Sequence, residues 1–363
     1  MTCVHVSSRW VSNMSDGVRC MWMRGGTSKG AFFLESSIPS DKDERAKFLA
    51  AVMGSPDARQ IDGMGGAHPL TSKVAVVSTS ERDDSDVDYL FLQVQPDTGS
   101  VSDSQNCGNM LAAVAPFAIE RGLVNAEDGE STVRIYMVNS DSRADLVVQT
   151  PGGRVTYKGD ARIDGVPGTH APIMQNYFGT AGAQCGALLP TGNQIDVIDG
   201  VEVTLVDNGM PSVMLRASDF DLTGYEDPKE IEAIAGLKDR IESIRLKAGE
   251  LMGLGDVTDQ TIPKMCLISP PRDGGIINTR TFIPHRVHEA VGVLAAASDA
   301  AACMFPESVA KGMAQFDEVN PCRVDVEHPT GSLTVELEWD GETVVRTGLL
   351  RTARKLMDGE VFV

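Results

Sequence analysis

Short apolar segments separated by glycine-rich turns make up most of the chain. Their alternating or continuous apolar pattern is typical of β-strands. Strands are predicted at Lys73–Ser78, Val87–Val94, Thr132–Val138, Ala144–Val148, Val201–Val206, Lys264–Ser269 and Leu333–Glu338. The chain is therefore expected to be rich in β-sheet.

Two segments depart from this pattern in the same way. Met110–Glu120 (MLAAVAPFAIE) and Ala290–Met304 (AVGVLAAASDAAACM) are rich in alanine and apolar on nearly every side, which predicts buried helices. Pro116 should cost the first helix a hydrogen bond and bend it. One such helix in each half, surrounded by strands, suggests a duplicated unit in which a sheet wraps a central helix.

A third helix is predicted on the surface. Pro228–Leu251 carries apolar residues at steps of three, four and seven with charges between them, which indicates an amphipathic helix. The apolar positions are Ile231, Ile234, Leu237, Ile241, Ile244 and Leu251.

The domain boundary is expected near Gly182–Gly192, because this segment is small and turn-rich. The prediction is an N-terminal domain of residues 17–186 and a second domain of residues 187–348. Residues 349–363 are too apolar to remain in solvent and are expected to return as a strand to the first domain.

Composition and charge exclude several classes of protein. The 363 residues include 51 acidic and 32 basic side chains, a formal net charge of −19. This balance disfavours binding to nucleic acid or to an anionic membrane. No apolar run approaches the roughly 18–20 residues of a membrane-spanning helix.

The seven cysteines are scattered, and no pair has CxxC spacing, so neither a zinc knuckle nor a dithiol motif is predicted. The N-terminus lacks the basic and apolar regions of a secretory signal. A cytoplasmic protein with reduced thiols is expected.

The most informative candidate site is Asn106-Cys107-Gly108-Asn109, directly before the first buried helix. Unpaired N–H groups and a partial positive charge at a helix start activate a thiol and attract a carboxylate. Asn106 is expected to cap the helix, and Gly108 lets a ligand approach the backbone. The alternative is an inert buried cysteine.

A second candidate is Thr71-Ser72-Lys73, which opens an apolar strand after the glycine-rich loop of residues 62–67. A lysine that enters a buried strand either extends its amine to solvent or is held as a base. Spacing alone favours the first interpretation.

Two further segments suit anionic ligands. Arg24-Gly25-Gly26-Thr27-Ser28-Lys29-Gly30 has the wrong order for a Walker motif, but its hydroxyls and cations suit a carboxylate; the alternative is a polar hairpin. In the second half, the Arg280–His288 stretch carries Arg280, His285, Arg286 and His288 before the second buried helix.

Metal binding is not predicted. His285 and His288 are three residues apart, but there is no HExxH, and His68 and His328 are remote in sequence. The turn at residues 207–211, Asp-Asn-Gly-Met-Pro, could offer N–H groups to a ligand; the alternative is a simple hairpin turn.

Five separated motifs agree in order with one family. MRGGTSKG at 23–30, IDGMGGAHPLTSKVAVV at 61–77, SDSQNCGNM at 102–110, DNGMPSVML at 207–215 and RTFIPHRVHEAVGVL at 280–294 resemble the PrpF family of the diaminopimelate-epimerase-like superfamily. The resemblance implies an α+β fold of two similar domains, each a β-barrel-like sheet around a central buried helix, with the active site between them.

The resemblance also assigns site residues. It places the family's key lysine and cysteine on Lys73 and Cys107. Arg24, Thr71 and Ser72 are substrate-binding candidates from the segments described above. The carboxylate-binding positions that the resemblance implies are Thr27, Ser28, Lys29, Ser104, Asn106, Gly108, Asn109, Asn208, Gly209, Met210, Arg280, His285, Arg286 and His288. Epimerases of this superfamily use a cysteine before each central helix, but here Cys303 lies near the far end of the second. Two-thiol inversion is therefore disfavoured.

The activity implied by the resemblance is a cofactor-independent 1,3-allylic proton shift in a small tricarboxylate. The expected substrate is 4-oxalomesaconate, in bacterial lignin-aromatic catabolism, with Lys73 as base and Cys107 as acid or binding group. Aconitate or methylitaconate isomerisation is the enzymatic alternative, and a non-catalytic di- or tricarboxylate-binding protein is the other. Neither a cofactor nor a metal is expected, and a homo-oligomer is left open.

Overall fold

The computed structural model describes residues 17–104, 106–283, 286–317 and 319–363. The chain forms two compact units. Unit 1 contains the described residues up to Arg162, together with Val166–Gln175 and Arg351–Val363, and unit 2 contains Ile163–Gly165 and Asn176–Leu350. The boundary between the two units follows Gln175, earlier in the chain than the domain boundary predicted between residues 186 and 187. Arg351–Val363, which belongs to unit 1, lies within residues 349–363, the segment predicted to return to the first domain.

Unit 1 is built on a strand order that closes on itself. Its elements are β1 (Val18–Gly25), β2 (Ser28–Leu34), β3 (Lys73–Thr79), β4 (Val87–Val94), β5 (Val101–Ser102), β6 (Gly129–Met137), β7 (Ser142–Thr150), the first part of β8 (Pro172–Phe178) and the last part of β16 (Val344–Val361), with helices α1 (Lys42–Met53), α2 (Gly108–Leu111) and α3 (Val114–Glu120). The hydrogen-bonded order is β16-β1-β2-β3-β4-β6-β7-β8, which returns to β16. The result is a closed eight-stranded barrel.

The two faces of this sheet have different partners. Helix α1 begins after Asp41, whose carboxylate accepts from the N–H groups of Asp43 and Glu44, and buries Leu49, Val52 and Met53. On the other face, α2 packs against β1, β2 and β3, and α3 against β3 and β7.

The first buried helix is present but is divided in two. Pro116 has no N–H, so the carbonyl of Ala112 loses its partner four residues on. The continuous helix predicted over Met110–Glu120 is consequently interrupted at Ala112–Ala113. The prediction of burial is confirmed, since Met110 to Ala115 are fully buried.

Unit 2 has its own set of strands and its own buried helix. Its elements are β9 (Asp196–Ile198), β10 (Val201–Asp207), β11 (Pro211–Arg216), β12 (Lys264–Ser269), β13 (Ile277–Phe282), β14 (Cys322–His328), β15 (Gly331–Trp339), the remaining parts of β8 and β16, and helices α4 (Pro228–Ala233), α5 (Leu237–Leu251) and α6 (Val293–Cys303). The strand order is β16-β15-β14-β13-β12-β11-β10-β9. Helix α6 contacts β10, β11, β14 and β15, and Ala295 to Cys303 are buried.

The single amphipathic helix predicted over Pro228–Leu251 is wrong in one respect. Gly236, with φ of 75°, separates α4 from α5 and turns the chain in the left-handed region that glycine tolerates best. Ile234, beside this turn, and Leu251, the last residue of α5, are exposed, whereas Ile231, Ile241 and Ile244 are buried. No helix in the described ranges has both the length and the apolar character needed to cross a membrane.

Candidate active site

Lys73 is the first residue of β3 and lies between two strands of unit 1. Its backbone is opposite Gly30 on β2 and Gln93 on β4. The side chain is only 8% exposed; Nζ donates to Gln93 Oε1 over 2.7 Å and lies 4.9 Å from the centroid of the Phe91 ring. The interpretation that the amine extends to solvent is therefore wrong.

The partner of Lys73 is uncharged. Within the described part of the chain, no carboxylate oxygen lies within 4.0 Å of Lys73 Nζ. A buried ammonium without a counter-charge is costly. Lys73 is therefore held by a hydrogen bond to a neutral amide and not by an ion pair.

Gln93 was not predicted as a site residue. Its Nε2 lies 3.1 to 3.2 Å from the carbonyl oxygens of Pro69, Ser72 and Val94. The sequence did contain a signal. In the predicted strand Val87–Val94, Tyr89, Phe91 and Gln93 occupy every second position and therefore share one face. A polar residue on a buried face requires internal hydrogen bonds.

Cys107 immediately precedes α2 and is half-buried. Its carbonyl accepts from Tyr89 Oη over 3.3 Å and from the N–H of Leu111 over 3.0 Å. Because α2 contacts β3, Cys107 opens a helix that packs on the strand of Lys73. Helix α2 has four residues, so its dipole is weaker than the sequence predicted.

The predicted cap by Asn106 is wrong. Cys107 occupies the N-cap position and makes no side-chain cap, while the Asn106 amide donates to Ser140 Oγ. Ser104 is exposed, and its hydroxyl pairs with Ser102 Oγ at 2.8 Å. Both Asn106 and Ser104 remain accessible beside Cys107.

The hairpin of β1 and β2 packs on the start of α2. A Cβ at Gly25 or Gly26 would overlap Asn109, and one at Gly30 would overlap the carbonyl of Lys73. These glycines therefore permit the close approach of hairpin, helix and β3. At the turn, Asn109 Nδ2 donates to Thr27 Oγ1 over 3.0 Å.

Arg24 and Lys29 lie on the other face of this hairpin. Arg24 and Lys29 lie opposite each other on β1 and β2, and the next pair along these strands, Gly25 and Ser28, faces inward. Because side chains alternate along a strand, Arg24 and Lys29 point to the opposite face. Arg24 Nη1 donates to Gly26 O, Thr352 O and Thr352 Oγ1. Burial, with the adjacent Arg354 charge, lowers the pKa of Arg24 to about 10. The structure does not bring these two cations to the face that carries Lys73.

The segment before Lys73 is held by internal hydrogen bonds. Ser72 is fully buried, and its hydroxyl lies 2.7 Å from Gln60 Oε1 and 2.9 Å from His68 O. Thr71 Oγ1 donates to the same His68 carbonyl over 3.2 Å. Both hydroxyls thus stabilise the loop, and that of Ser72 is enclosed by it.

In unit 2, Asn208 is part of the core. It is fully buried, and its Nδ2 donates to Ala297 O and Thr347 Oγ1, while Oδ1 accepts from Thr180 Oγ1. Its side chain is therefore committed to structure. Gly209, with φ of 93°, and Met210, whose carbonyl accepts from Ser298 Oγ, complete the turn.

The predicted basic stretch of unit 2 is partly structural. Arg280 is buried and donates to Glu226 O, Asn278 Oδ1 and Thr279 O; burial lowers its pKa. Arg286 is exposed, and His285 lies outside the described residues.

Two histidines that are distant in sequence interact electrostatically. Burial lowers the pKa of His288, and the Lys264 charge acts in the same direction. Burial also lowers the pKa of His328 to about 4; the Asp164 charge opposes this, whereas His288 and Arg280 reinforce it. Two residues of the predicted Arg280–His288 stretch, Arg280 and His288, thus act electrostatically on His328. No group of three metal-ligating side chains occurs among the residues described.

Comparison with known proteins places these features in a family. The chain is 60% identical to the (4E)-oxalomesaconate Delta-isomerase of Novosphingobium sp. (strain KA1), covering 96% of this chain and 98% of that protein. It is 54% identical to the 4-oxalomesaconate tautomerase of Pseudomonas putida, covering 95% and 96%. The crystal structure of a methylitaconate-delta-isomerase matches with a TM-score of 0.89, 33% identity and 95% of both chains.

The architecture is the diaminopimelate-epimerase-like fold, as the sequence motifs implied. The family model described as PrpF protein matches residues 16–363. The chain belongs to the PrpF family, and its relatives are isomerases.

Proposed function

We propose that this protein is a cofactor-independent allylic isomerase that converts 4-oxalomesaconate to 2-keto-4-carboxy-3-hexenedioate. The observation that carries the proposal is the buried Lys73 amine, which is hydrogen-bonded to a neutral amide. The relatives that are 60% and 54% identical, both named for oxalomesaconate, support this choice of substrate. A role in lignin-aromatic catabolism and a cytoplasmic location remain predictions.

The proposed reaction is a proton transfer without net oxidation. The Lys73 amine takes a proton from the substrate carbon between the ketone and the double bond, and the C–H electrons form the C=C bond of an enolate that is conjugated with the existing double bond. A proton returns to the other end of the allylic system, and the enolate collapses to the new double bond. Polar groups beside the enolate would stabilise its charge.

Cys107 is proposed to act on the same substrate, as the acid that returns the proton or as a binding group. Its position before a helix that contacts β3 supports this proposal. Thr27, Ser104, Asn106, Gly108 and Asn109 are the proposed carboxylate contacts of unit 1. The other predicted contacts remain predictions: Arg24, Ser28, Lys29, Thr71, Ser72, Asn208, Gly209, Met210, Arg280, His285, Arg286 and His288.

The decisive variant is Lys73→Met, which keeps the length of the side chain and removes the amine. We expect kcat to fall by about 10²- to 10⁴-fold, the usual contribution of a general base. Lys158→Met, at an exposed position of unit 1, is the matched control and should retain wild-type kcat. Near-normal turnover by folded Lys73→Met would refute the assignment.

Cys107→Ser separates the two roles proposed for the thiol. If Cys107 returns the proton, kcat should fall strongly, because a serine hydroxyl is a far weaker acid than a thiol. If Cys107 binds substrate, KM should rise while kcat changes little. Unchanged kcat and KM would exclude both roles.

Isomerisation of methylitaconate or aconitate is the second candidate. The methylitaconate isomerase structure, which covers 95% of both chains, favours it. The same variants test it when these substrates replace 4-oxalomesaconate. Binding of a tricarboxylate without turnover of any of them would instead indicate a non-catalytic binding protein.

A further inference from the structure

The orientation of the Gln93 side-chain amide is determined by the backbone around it. Nε2 faces the three carbonyl oxygens of Pro69, Ser72 and Val94. Because a carbonyl oxygen accepts and does not donate, the NH₂ end must point toward these groups. Oε1 therefore points at Lys73 and accepts from Nζ over 2.7 Å.

This arrangement has a consequence for the lysine amine. A neutral primary amine has two N–H bonds and one lone pair. When one N–H donates to Oε1, the lone pair must point away from Gln93. The Phe91 ring, with its centroid 4.9 Å from Nζ, occupies part of the remaining space. The direction in which the amine can accept a proton is thereby restricted.

An amide also differs from a carboxylate in charge. A carboxylate at this distance would hold a proton on the amine, because an opposite charge stabilises the ammonium form. Gln93 Oε1 offers the same hydrogen bond without a full negative charge. The amine is thus held in place by a hydrogen bond rather than by an ion pair.

We propose that Gln93 is a positioning residue: it aims the Lys73 lone pair and sets the pH range in which the amine acts as a base. This inference rests on the proposed function, in which Lys73 removes the substrate proton. It acts through Lys73 and requires no contact between Gln93 and the substrate.

Among the described residues, Gln93 is the one side chain that accepts a hydrogen bond from Lys73 Nζ. The residue opposite Lys73 on β2 is Gly30, and no salt bridge of Lys73 is formed among the described residues. The titratable side chains on the elements packed against β3 are Lys29, Glu35, Asp88, Tyr89, Cys107 and Glu120, and His68 lies in the preceding loop.

Two substitutions at one position test the proposal by moving a pH profile in opposite directions. Gln93→Met keeps the approximate shape and removes the acceptor, so the ammonium form loses stabilisation. The rising limb of kcat/KM should shift to lower pH, and kcat should fall about 10-fold at little change in KM because the amine is no longer aimed. Gln93→Glu adds a negative charge, so the rising limb should shift to higher pH by about one unit or more.

The control is Gln149→Met, the same substitution at a partly exposed glutamine of unit 1 that donates to Glu130. It should leave the pH profile unchanged. Circular dichroism establishes that each variant is folded. If Gln93→Glu fails to fold, the shift expected for Gln93→Met still decides the question, because loss of packing alone does not move the limb to lower pH.

A second readout does not depend on turnover. Acetic anhydride acetylates unprotonated amines, so the pH dependence of Lys73 acetylation, measured by mass spectrometry against Lys158, reports the same ionisation without substrate. Midpoints that move down in Gln93→Met and up in Gln93→Glu support the proposal. Midpoints identical to wild type in both variants would overturn it. Shifted midpoints in a protein that isomerises no substrate would support the Gln93–Lys73 coupling and contradict the proposed function.

Discussion

Asp299 provides the sharpest test of the energetics of unit 2. This carboxyl on α6 is fully buried. Oδ1 accepts from Ser212 Oγ over 2.6 Å, whereas Oδ2 is buried without a hydrogen-bond partner. Burial raises the pKa of Asp299 to about 6, and the hydrogen bond from Ser212 offsets this only in part. The perturbation is Asp299→Asn, which resembles the protonated acid in shape and charge.

The magnitude follows from the difference between the folded and unfolded states. The pKa rises from 3.8 to about 6, and each pKa unit corresponds to about 1.4 kcal/mol. The folded state favours the protonated carboxyl. The stability that protonation of Asp299 contributes is therefore fully present below the unfolded pKa of 3.8 and is lost as the pH rises through about 6. Ionisation of Asp299 should therefore cost the folded protein about 2.5 kcal/mol at pH 8 relative to pH 4, where the unfolded carboxyl is already more than half ionised.

The assay is urea denaturation of the wild type and Asp299→Asn at several pH values between 4 and 8. The free energy of unfolding of the variant, relative to wild type, should increase by about 2.5 kcal/mol over this range. Asp259→Asn, at an exposed site in the same unit, controls for the change of net charge. Parallel pH dependences for wild type and Asp299→Asn would refute the reasoning.

Two further substitutions test structural assignments in the two units. Asn208→Ala removes three buried side-chain hydrogen bonds and should lower the free energy of unfolding by about 3 kcal/mol. Thermal denaturation should show this loss as a reduced Tm. An unchanged Tm with a raised KM would instead indicate that Asn208 binds substrate directly. Gly30→Ala places a Cβ against the carbonyl of Lys73 and should reduce kcat by about 10-fold or more by displacing the amine. Gly359→Ala, also in unit 1, is its control, because its backbone lies outside the left-handed region and the added Cβ meets only Met357 Sδ, at 3.2 Å. Equal kcat in Gly30→Ala and wild type would show that β3 tolerates the shift.

Much of the fold could be predicted because its pattern is local. The strand predicted at Val87–Val94 is β4 without change, and Lys73–Ser78 differs from β3 by one residue at its end. The alanine-rich buried helices were visible because a helix that is apolar on all sides has to be enclosed. The break at Gly236 was missed because the apolar spacing continues across it, although the glycine itself was a signal for a turn.

The candidate site was harder to predict because its geometry depends on pairing between distant strands. The motif around Arg24 and Lys29 suggested a ligand site, but strand register directs both side chains away from Gly25 and Gly30. Gln93 lies 20 residues from Lys73, and their contact exists because β3 and β4 are neighbours. Asn208 has the chemistry of a ligand-binding residue, but burial commits its amide to the core.

The most direct test of the proposed isomerase is proton NMR, with parallel UV absorbance, of the purified protein mixed with 4-oxalomesaconate in D₂O without added cofactor. We expect loss of the starting spectrum, appearance of the double-bond isomer and incorporation of deuterium at the carbon that is reprotonated. An unchanged spectrum with folded protein, and no solvent exchange at any substrate carbon, would contradict the proposed function.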